Sequence, residues 1–149
     1  MKKIILPSIF AFGLLFSCNN DDDSSIDNAN IVGTWNIVKT QIQYSKDNKI
    51  VDQKLDACED KNTLTFTNDK KYSYVSYEAD NTGKCVIEDT GNATYTITDK
   101  KIKVVYGPDD SFEAEIISLT KNELVMKSNY GEDLDKDAKD EIEIYYLKR

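Results

Sequence analysis

The chain has 149 residues, the size of a single domain, and its 19 basic and 27 acidic side chains give a formal net charge of −8 at pH 7. This acidic balance argues against nucleic acid as a partner, because phosphates are neutralised by clustered lysine and arginine side chains. The sequence contains no histidine, which excludes Ser/His/Asp and Cys/His catalysis and every zinc site that uses an imidazole ligand.

Residues 1–17 have the composition of a signal peptide. Two lysines precede an apolar stretch at residues 4–16, which is shorter than the about 20 residues needed to span a bilayer. The stretch ends in Leu-Phe-Ser-Cys at residues 15–18, which resembles the bacterial lipobox, where a leucine and a small residue direct cleavage and acylation at the cysteine. This resemblance implies that Cys18 becomes the acylated N-terminal residue. The alternative is an ordinary secretory signal that contains a cysteine.

The residues around the acylated cysteine predict a location. A lipoprotein with more than one acyl chain stays on its membrane. The residue after Cys18 is Asn19, whereas an Asp at this position retains many Gram-negative lipoproteins in the inner membrane. We therefore expect an anchor in the outer membrane of a cell envelope. Residues 18–30 are mostly polar, with an acidic run at 21–23 and no apolar side chain from Asn19 until Ile26, and predict a flexible tether. The run also resembles the surface-export signal of some lipoproteins, so surface display and a periplasmic orientation both stay open.

Alternation of apolar and polar residues dominates from residue 31 onward, which predicts β-strands. Eight strands are expected, at residues 32–44, 63–67, 71–78, 92–98, 101–106, 112–119, 123–127 and 141–148. Short polar turns at 68–70, 99–100 and 121–122 predict antiparallel hairpins, and longer polar loops are expected at 45–61, 78–91 and 129–140. The prediction is an all-β domain at residues 31–149, an eight-stranded antiparallel up-and-down β-barrel, since closure leaves no open edge.

The alternation also predicts which side chains point into the barrel. The inward set is Leu64, Phe66, Tyr72, Tyr74, Tyr95, Ile97, Ile102, Val104, Leu124, Met126, Ile142, Ile144 and Tyr146. The strand at residues 112–119 breaks the pattern, because Glu113 and Glu115 share their parity with Ile117 and Leu119. A β-bulge near Ile116 would repair it.

The first strand opens with Gly33-Thr34-Trp35, which carries the Gly-x-Trp signature of lipocalins. The motif is joined by the count of eight strands and by two further segments, at residues 118–124 and 144–148. With these features, residues 31–149 resemble the lipocalin-like domains of bacterial lipoproteins. The resemblance implies that Trp35 packs across one end of the barrel. In lipocalins an arginine on the last strand often covers this tryptophan, and the only arginine here is Arg149, after the last predicted strand.

Cys58 and Cys85 remain once Cys18 is acylated, and an even pair in an exported chain predicts a disulfide. The two cysteines lie near the open ends of the hairpin formed by the strands at 63–67 and 71–78. Closing a loop of this length is worth about 3.5 kcal/mol in the chain-entropy account. The pair lacks the CxxC spacing of redox and metal-thiolate sites.

Five tyrosines of the predicted strands are the candidate ligand-binding residues: Tyr72, Tyr74, Tyr95, Tyr106 and Tyr146. A buried phenol needs a hydrogen-bond partner, which a cavity supplies as water or ligand. An eight-stranded barrel either holds one small ligand or is filled by side chains. The first hypothesis is therefore a monomeric barrel that binds a small, partly apolar ligand. The second is a filled barrel that contacts another envelope component through its long loops and acidic surface.

Asp133, Asp135 and Asp137 alternate in the last loop as at the start of a calcium-binding EF-hand. The pattern then fails, because Ala138 stands at the position of the turn glycine and Ile144 at that of the bidentate glutamate. We expect a solvated acidic loop without a metal, with a weak calcium site of another kind as the alternative. Most other acidic residues lie in turns or at strand positions whose side chains point outward, so we expect neither an enzyme nor a cofactor.

Overall fold

The computed structural model describes residues 31–149, which form nine β-strands and a short 3₁₀ turn at Glu59–Lys61. The strands are β1 Gly33–Gln43, β2 Ile50–Gln53, β3 Thr63–Phe66, β4 Lys71–Ala79, β5 Cys85–Thr98, β6 Lys101–Gly107, β7 Asp110–Leu119, β8 Glu123–Asn129 and β9 Ile142–Lys148. The predicted signal peptide, the acylation site at Cys18 and the tether at 18–30 lie outside the described residues. Within the described part no helix combines the length and apolar character needed to cross a membrane.

Strands β1 and β3 to β9 form a closed antiparallel barrel. Each strand from β3 to β8 pairs with the next one along the chain, and β1 closes the barrel by pairing with β3 on one side and β9 on the other. The polar turns predicted from sequence join β3 to β4, β5 to β6 and β7 to β8. Lys70 and Asp99 adopt left-handed φ angles of 62° and 55° in two of these turns, which reverses the chain tightly. The prediction of an eight-stranded up-and-down barrel is confirmed.

Large aromatic side chains plug the end of the barrel where these turns lie. Trp35, Phe66 and Tyr95 are almost completely buried in one apolar cluster. The rings of Phe66 and Tyr95 meet edge to face, with centroids 5.1 Å apart. The indole Nε1 of Trp35 donates a hydrogen bond to the carbonyl of Ile31 at 2.7 Å, so its one polar group is satisfied inside the cluster. This end of the barrel is solid.

Arg149 covers the plug from outside. Its guanidinium lies 4.0 Å from the centroid of the Trp35 ring, and its Nη1 donates a hydrogen bond to the carbonyl of Val32 at 2.8 Å. Gly33 makes room for this contact, because a Cβ at that position would lie 2.8 Å from Nη1 of Arg149. The arginine that follows the last strand in sequence therefore occupies the place over the tryptophan that an arginine often takes in lipocalins.

The β-bulge predicted near Ile116 is confirmed. The register between β7 and β8 shifts between Ile116 and Ser118, which leaves Ile117 as the extra residue. Ile116 is buried, whereas Ile117 is 48% exposed. Glu115 consequently stays on the outer face, where Lys127 binds it at 3.1 Å. The inserted residue thus lets the acidic and the apolar side chains of β7 each face their preferred surroundings.

Two of the predicted loops contain strands. The loop expected at 45–61 includes β2, which pairs with the second half of β1. The loop expected at 78–91 shrinks to a turn at 80–84, because β4 and β5 continue as one long hairpin. Gly91, placed in a loop by the sequence, lies inside β5 opposite Tyr74, whose ring fills the space: a Cβ at Gly91 would be 2.1 Å from Cε1 of Tyr74. A glycine in this strand therefore serves close packing, not chain reversal.

The inward face predicted for the last strand is wrong. Ile142, Ile144 and Tyr146 lie on the outer face of the barrel, although Ile144 is buried there by its neighbours. Leu147 and Tyr145 point inward instead, and Tyr145 pairs with Met126 of the interior. Glu143 shares this inward face, and its carboxyl group accepts a hydrogen bond from the hydroxyl of Tyr145, which offsets the cost of burying it. The acidic residue that seemed to mark the solvent side therefore lies inside the barrel.

Candidate functional site in the barrel cavity

The barrel is hollow above its aromatic plug. The hollow part is a cavity of about 300 Å³, at the lower end of the range for small-molecule sites. Its apolar lining consists of Ile37, Leu64, Val75, Phe112 and Met126. Its polar lining consists of Asn62, Thr63, Ser76 and the phenols of Tyr72, Tyr74, Tyr106 and Tyr145. None of these side chains is charged. A barrel filled by side chains, the second hypothesis from sequence, would leave no such space.

Three tyrosines form one side of the cavity, which we call the aromatic wall: Tyr72, Tyr74 and Tyr106. The ring centroids of Tyr72 and Tyr106 lie 6.1 Å apart at an interplanar angle of 84°, and those of Tyr74 and Tyr106 lie 6.2 Å apart at 80°. Both are favourable edge-to-face arrangements. Burial raises the pKa of Tyr72, and the neighbouring phenol of Tyr106 raises it further. The wall is therefore uncharged at physiological pH, and its hydroxyls can donate or accept hydrogen bonds.

A carboxylate on β5 supports the aromatic wall. Asp89 accepts a hydrogen bond from the hydroxyl of Tyr74 at 2.5 Å and one from the backbone N–H of Thr90 at 2.8 Å. The hydrogen bond from Tyr74, followed by that from Thr90, lowers the pKa of Asp89. The same bond to Asp89 raises the pKa of Tyr74 to about 12. Asp89 is thus an ionised carboxylate held beside the cavity. Sequence reasoning missed it because the predicted loop at 78–91 included it.

A second pairing of tyrosine and carboxyl group lies on β9. Tyr145 lines the cavity next to Met126, and its hydroxyl donates a hydrogen bond to Glu143. Burial raises the pKa of Tyr145, and the hydrogen bond to Glu143 raises it further. Burial also raises the pKa of Glu143, although the hydrogen bond from Tyr145 acts in the opposite direction. Sequence reasoning missed both residues because it assigned the wrong face to β9.

Three of the five predicted ligand-binding tyrosines meet in the cavity: Tyr72, Tyr74 and Tyr106. Tyr95 lies below it in the plug, where its hydroxyl donates a hydrogen bond to the carbonyl of Thr67 at 2.9 Å. Tyr146 lies on the outer face, where its hydroxyl donates to Oε1 of Gln41 at 2.6 Å and the amino group of Lys39 lies over its ring. This placement corrects the prediction that Tyr95 and Tyr146 share the pocket.

A buried glutamate organises the acidic loop before β9. Glu141 is fully buried, and its carboxylate accepts backbone hydrogen bonds from Ser45, Leu134 and Asp135 at 2.6, 3.0 and 3.1 Å. These bonds connect the loop between β8 and β9 to the loop between β1 and β2. A burial cost of several kcal/mol for a lone carboxylate is thereby offset by three amide donors. The sequence alone gave no reason to single out Glu141.

Carboxyl oxygens of Asp133, Asp135 and Glu141 lie within 4.8 Å of one another, a donor set of the kind that hard cations prefer. Most of these oxygens already accept backbone amides. The two carboxyl oxygens of Asp133, for example, bind the N–H groups of Asp137 and Ala138 at 3.0 and 2.9 Å. Asp137, the third residue of the alternating pattern, accepts the hydroxyl of Ser45 and does not join this group. The carboxylates thus account for the fold of the loop.

The predicted disulfide between Cys58 and Cys85 is confirmed. The two Cα atoms lie 5.6 Å apart, and the sulfur atoms are bonded. Cys58 precedes β3, and Cys85 is the first residue of β5, so the bond joins the segments on either side of β4. It braces the same hairpin that carries Tyr72, Tyr74 and Asp89.

A closed barrel of eight antiparallel strands, solid at one end and hollow at the other, defines the class of up-and-down β-barrels with an internal cavity. The aromatic plug and the cavity above it place the protein in this class. The chain belongs to the lipocalin-like domain family, whose sequence model matches residues 18–126. The resemblance inferred from the strand pattern and from Gly33-Thr34-Trp35 is thereby confirmed at the level of the family.

Several solved structures are similar to this barrel. The bovine lipocalin allergen Bos d 2 is 21% identical with a TM-score of 0.50, over 83% of this chain and 75% of the allergen. A lipocalin-like protein from Bacteroides uniformis is 12% identical with a TM-score of 0.49, over 80% of this chain and 98% of that protein. A bovine odorant-binding protein is 15% identical with a TM-score of 0.43, over 80% and 74% of the two chains. No curated protein sequence matches significantly. At these identities the similarity concerns the fold alone.

Proposed function

We propose that this protein is a lipid-anchored lipocalin-like protein of the cell envelope, and that its barrel binds one small, partly apolar ligand without catalysing a reaction. The observation that carries the proposal is the cavity of about 300 Å³ above the plug. Its walls combine apolar side chains with four phenols, which suits a molecule with both apolar surface and a polar group.

Binding inside the barrel is testable with N-phenyl-1-naphthylamine, an uncharged aromatic probe whose fluorescence increases in apolar surroundings. Leu64→Trp places a larger side chain in the cavity lining, whereas the matched control Val38→Trp adds the same ring to an exposed position on β1. We expect the probe to bind the wild type and Val38→Trp with similar affinity, and Leu64→Trp at least tenfold more weakly. Equal binding to all three would place the probe outside the cavity and contradict the proposal.

The natural ligand is accessible by native mass spectrometry of the protein purified from its own host. A small molecule that is present with the wild type and depleted with Leu64→Trp would identify the ligand class. Wild-type protein that never carries a small molecule and never binds the uncharged probe would favour the interaction role through the loops instead.

The anchor at Cys18 is a separate part of the proposal, supported by the lipobox resemblance at residues 15–18. Cys18→Ser removes the acceptor thiol and leaves the barrel sequence unchanged. We expect the wild type to incorporate an alkyne-labelled fatty acid and to fractionate with outer membranes, and Cys18→Ser to do neither. Labelling of both proteins, or of neither, would contradict acylation at Cys18.

A further inference from the structure

The charged side chains that act on Tyr74, Tyr106 and Tyr145 of the cavity are negative. The pKa of Tyr74 is raised by its hydrogen bond to Asp89, by burial and by the charges of Asp89 and Asp110. Burial raises the pKa of Tyr106, and the charge of Asp110 adds to the effect. On the other side of the lining, Glu143 and Glu59 raise the pKa of Tyr145 after burial. Within residues 31–149 neither the cavity lining nor the side-chain partners of Tyr74 and Tyr145 include a lysine or an arginine.

Asp89 is the carboxylate in direct contact with the aromatic wall, through the hydroxyl of Tyr74. The hydrogen bonds from Tyr74 and Thr90 lower its pKa, whereas burial raises the pKa of Glu143 and weakens its charge. The carboxylate of Asp89 has no cationic side chain among its hydrogen-bond partners. A negative charge therefore stands at the exposed edge of the aromatic wall, and no lysine or arginine of residues 31–149 forms a salt bridge with it.

The aromatic wall adds a second attraction for a positive charge. The π-systems of tyrosine rings attract cations placed within about 6 Å of their centroids. The hydroxyl of Tyr74 donates to an ionised carboxylate, which polarises this phenol and strengthens the attraction of its ring. Across the barrel from this wall, Ile37 on β1 and Met126 on β8 form an apolar part of the lining. The two sides of the cavity thus differ: one has uncharged phenols with a carboxylate beside them, and the other has apolar side chains.

We propose that the ligand is a cationic amphiphile, in which a quaternary or protonated amine binds at the aromatic wall beside Asp89 while the apolar part lies against Ile37 and Met126. This inference rests on the proposed function and names its ligand class. Gly91 contributes to this arrangement, because its missing side chain lets the ring of Tyr74 lie where the hydroxyl reaches Asp89.

Three competitors with the same 4-phenylbutyl chain test this ligand class by displacement of N-phenyl-1-naphthylamine at low ionic strength, where charge attraction is least screened. They are 4-phenylbutyltrimethylammonium, its uncharged isostere with carbon in place of nitrogen, and the anion 5-phenylvalerate. We expect the cation to displace the probe at a concentration about tenfold lower than the isostere, equivalent to about 1.4 kcal/mol, and the anion to be the weakest. An isostere or anion that competes as well as the cation would overturn the inference and leave ligand binding in place.

Asp89→Asn distinguishes the charge from a structural role, because the amide oxygen of asparagine still accepts the hydrogen bond of Tyr74. We expect the ratio of cation to isostere affinity to fall from about ten to about two. The matched control Asp69→Asn removes a carboxylate near the plug, where Thr67 and Lys71 bind it, and should leave the ratio unchanged. An unchanged ratio in Asp89→Asn would overturn the inference. Failure of the probe to bind the wild type would overturn the proposed function itself.

Discussion

Removal of the disulfide between Cys58 and Cys85 should destabilise the barrel by an amount that follows from the loop it closes. The two cysteines are separated by 27 positions, and the chain-entropy account gives about 12 cal/mol/K, or about 3.5 kcal/mol at 25 °C, for a loop of this length. The bond joins the segments on either side of β4, so the variant Cys58→Ser/Cys85→Ser should lose this constraint in the unfolded chain. We expect the midpoint of urea unfolding to fall by about 2 M and the thermal midpoint by on the order of 10 °C.

Tryptophan fluorescence provides the readout, because Trp35 is the only tryptophan and lies in the plug. Dithiothreitol should reproduce the effect in the wild type and have none on the double variant, which controls for the serine substitutions. A midpoint that changes by less than about 0.3 M in both the variant and the reduced wild type would refute the reasoning, because the bond would then contribute almost nothing to the difference between folded and unfolded chains.

Three further predictions test the strand faces and the interior carboxyl group. Ile116→Asp should cost more than about 3 kcal/mol in urea unfolding because it buries a charge, whereas Ile117→Asp at the bulge should cost less than about 1 kcal/mol; equal costs would contradict the bulge. Tyr145→Ala should change the affinity for N-phenyl-1-naphthylamine at least threefold and Tyr146→Ala should not, and the reverse order would contradict the face of β9. Burial raises the pKa of Glu143 above its usual value of 4.5. Between the two pKa values the folded state therefore keeps a proton that the unfolded state releases. This group consequently makes the free energy of unfolding fall as the pH rises from 4.5 through the raised pKa. Glu143→Gln should therefore lose less stability between pH 4.5 and 7 than the wild type, as urea midpoints across this range would show, and an equal loss would speak against burial of the charge.

The barrel was predictable from sequence because its strands alternate with period two and several of its turns are short and polar. Even the bulge at Ile117 could be inferred, since two glutamates would otherwise point inward. The same rule failed for β9, where Glu143 marked the wrong side. Its carboxyl group is compensated by the hydroxyl of Tyr145, a pairing that depends on the folded structure and leaves no trace in hydrophobic periodicity.

The candidate site was only partly predictable for a related reason. The phenols of Tyr72, Tyr74 and Tyr106 follow from strand parity, but Asp89 lies in a polar run that resembles a loop. The available signal was Gly91, because a glycine inside a strand often marks close packing against a neighbouring ring. The role of Arg149 was also hidden, since its contact with Trp35 joins the two ends of the described chain.

The position of the ligand inside the barrel can be measured through one methyl group. Met126 lines the cavity, and it is the only methionine after residue 1. In protein labelled with methyl-¹³C-methionine, the resonance assigned to Met126 with a Met126→Leu variant should shift as N-phenyl-1-naphthylamine is added, at the concentrations that saturate its fluorescence. The shift should vanish in Leu64→Trp. A Met126 resonance that stays unmoved while the probe binds would contradict a ligand site in the cavity.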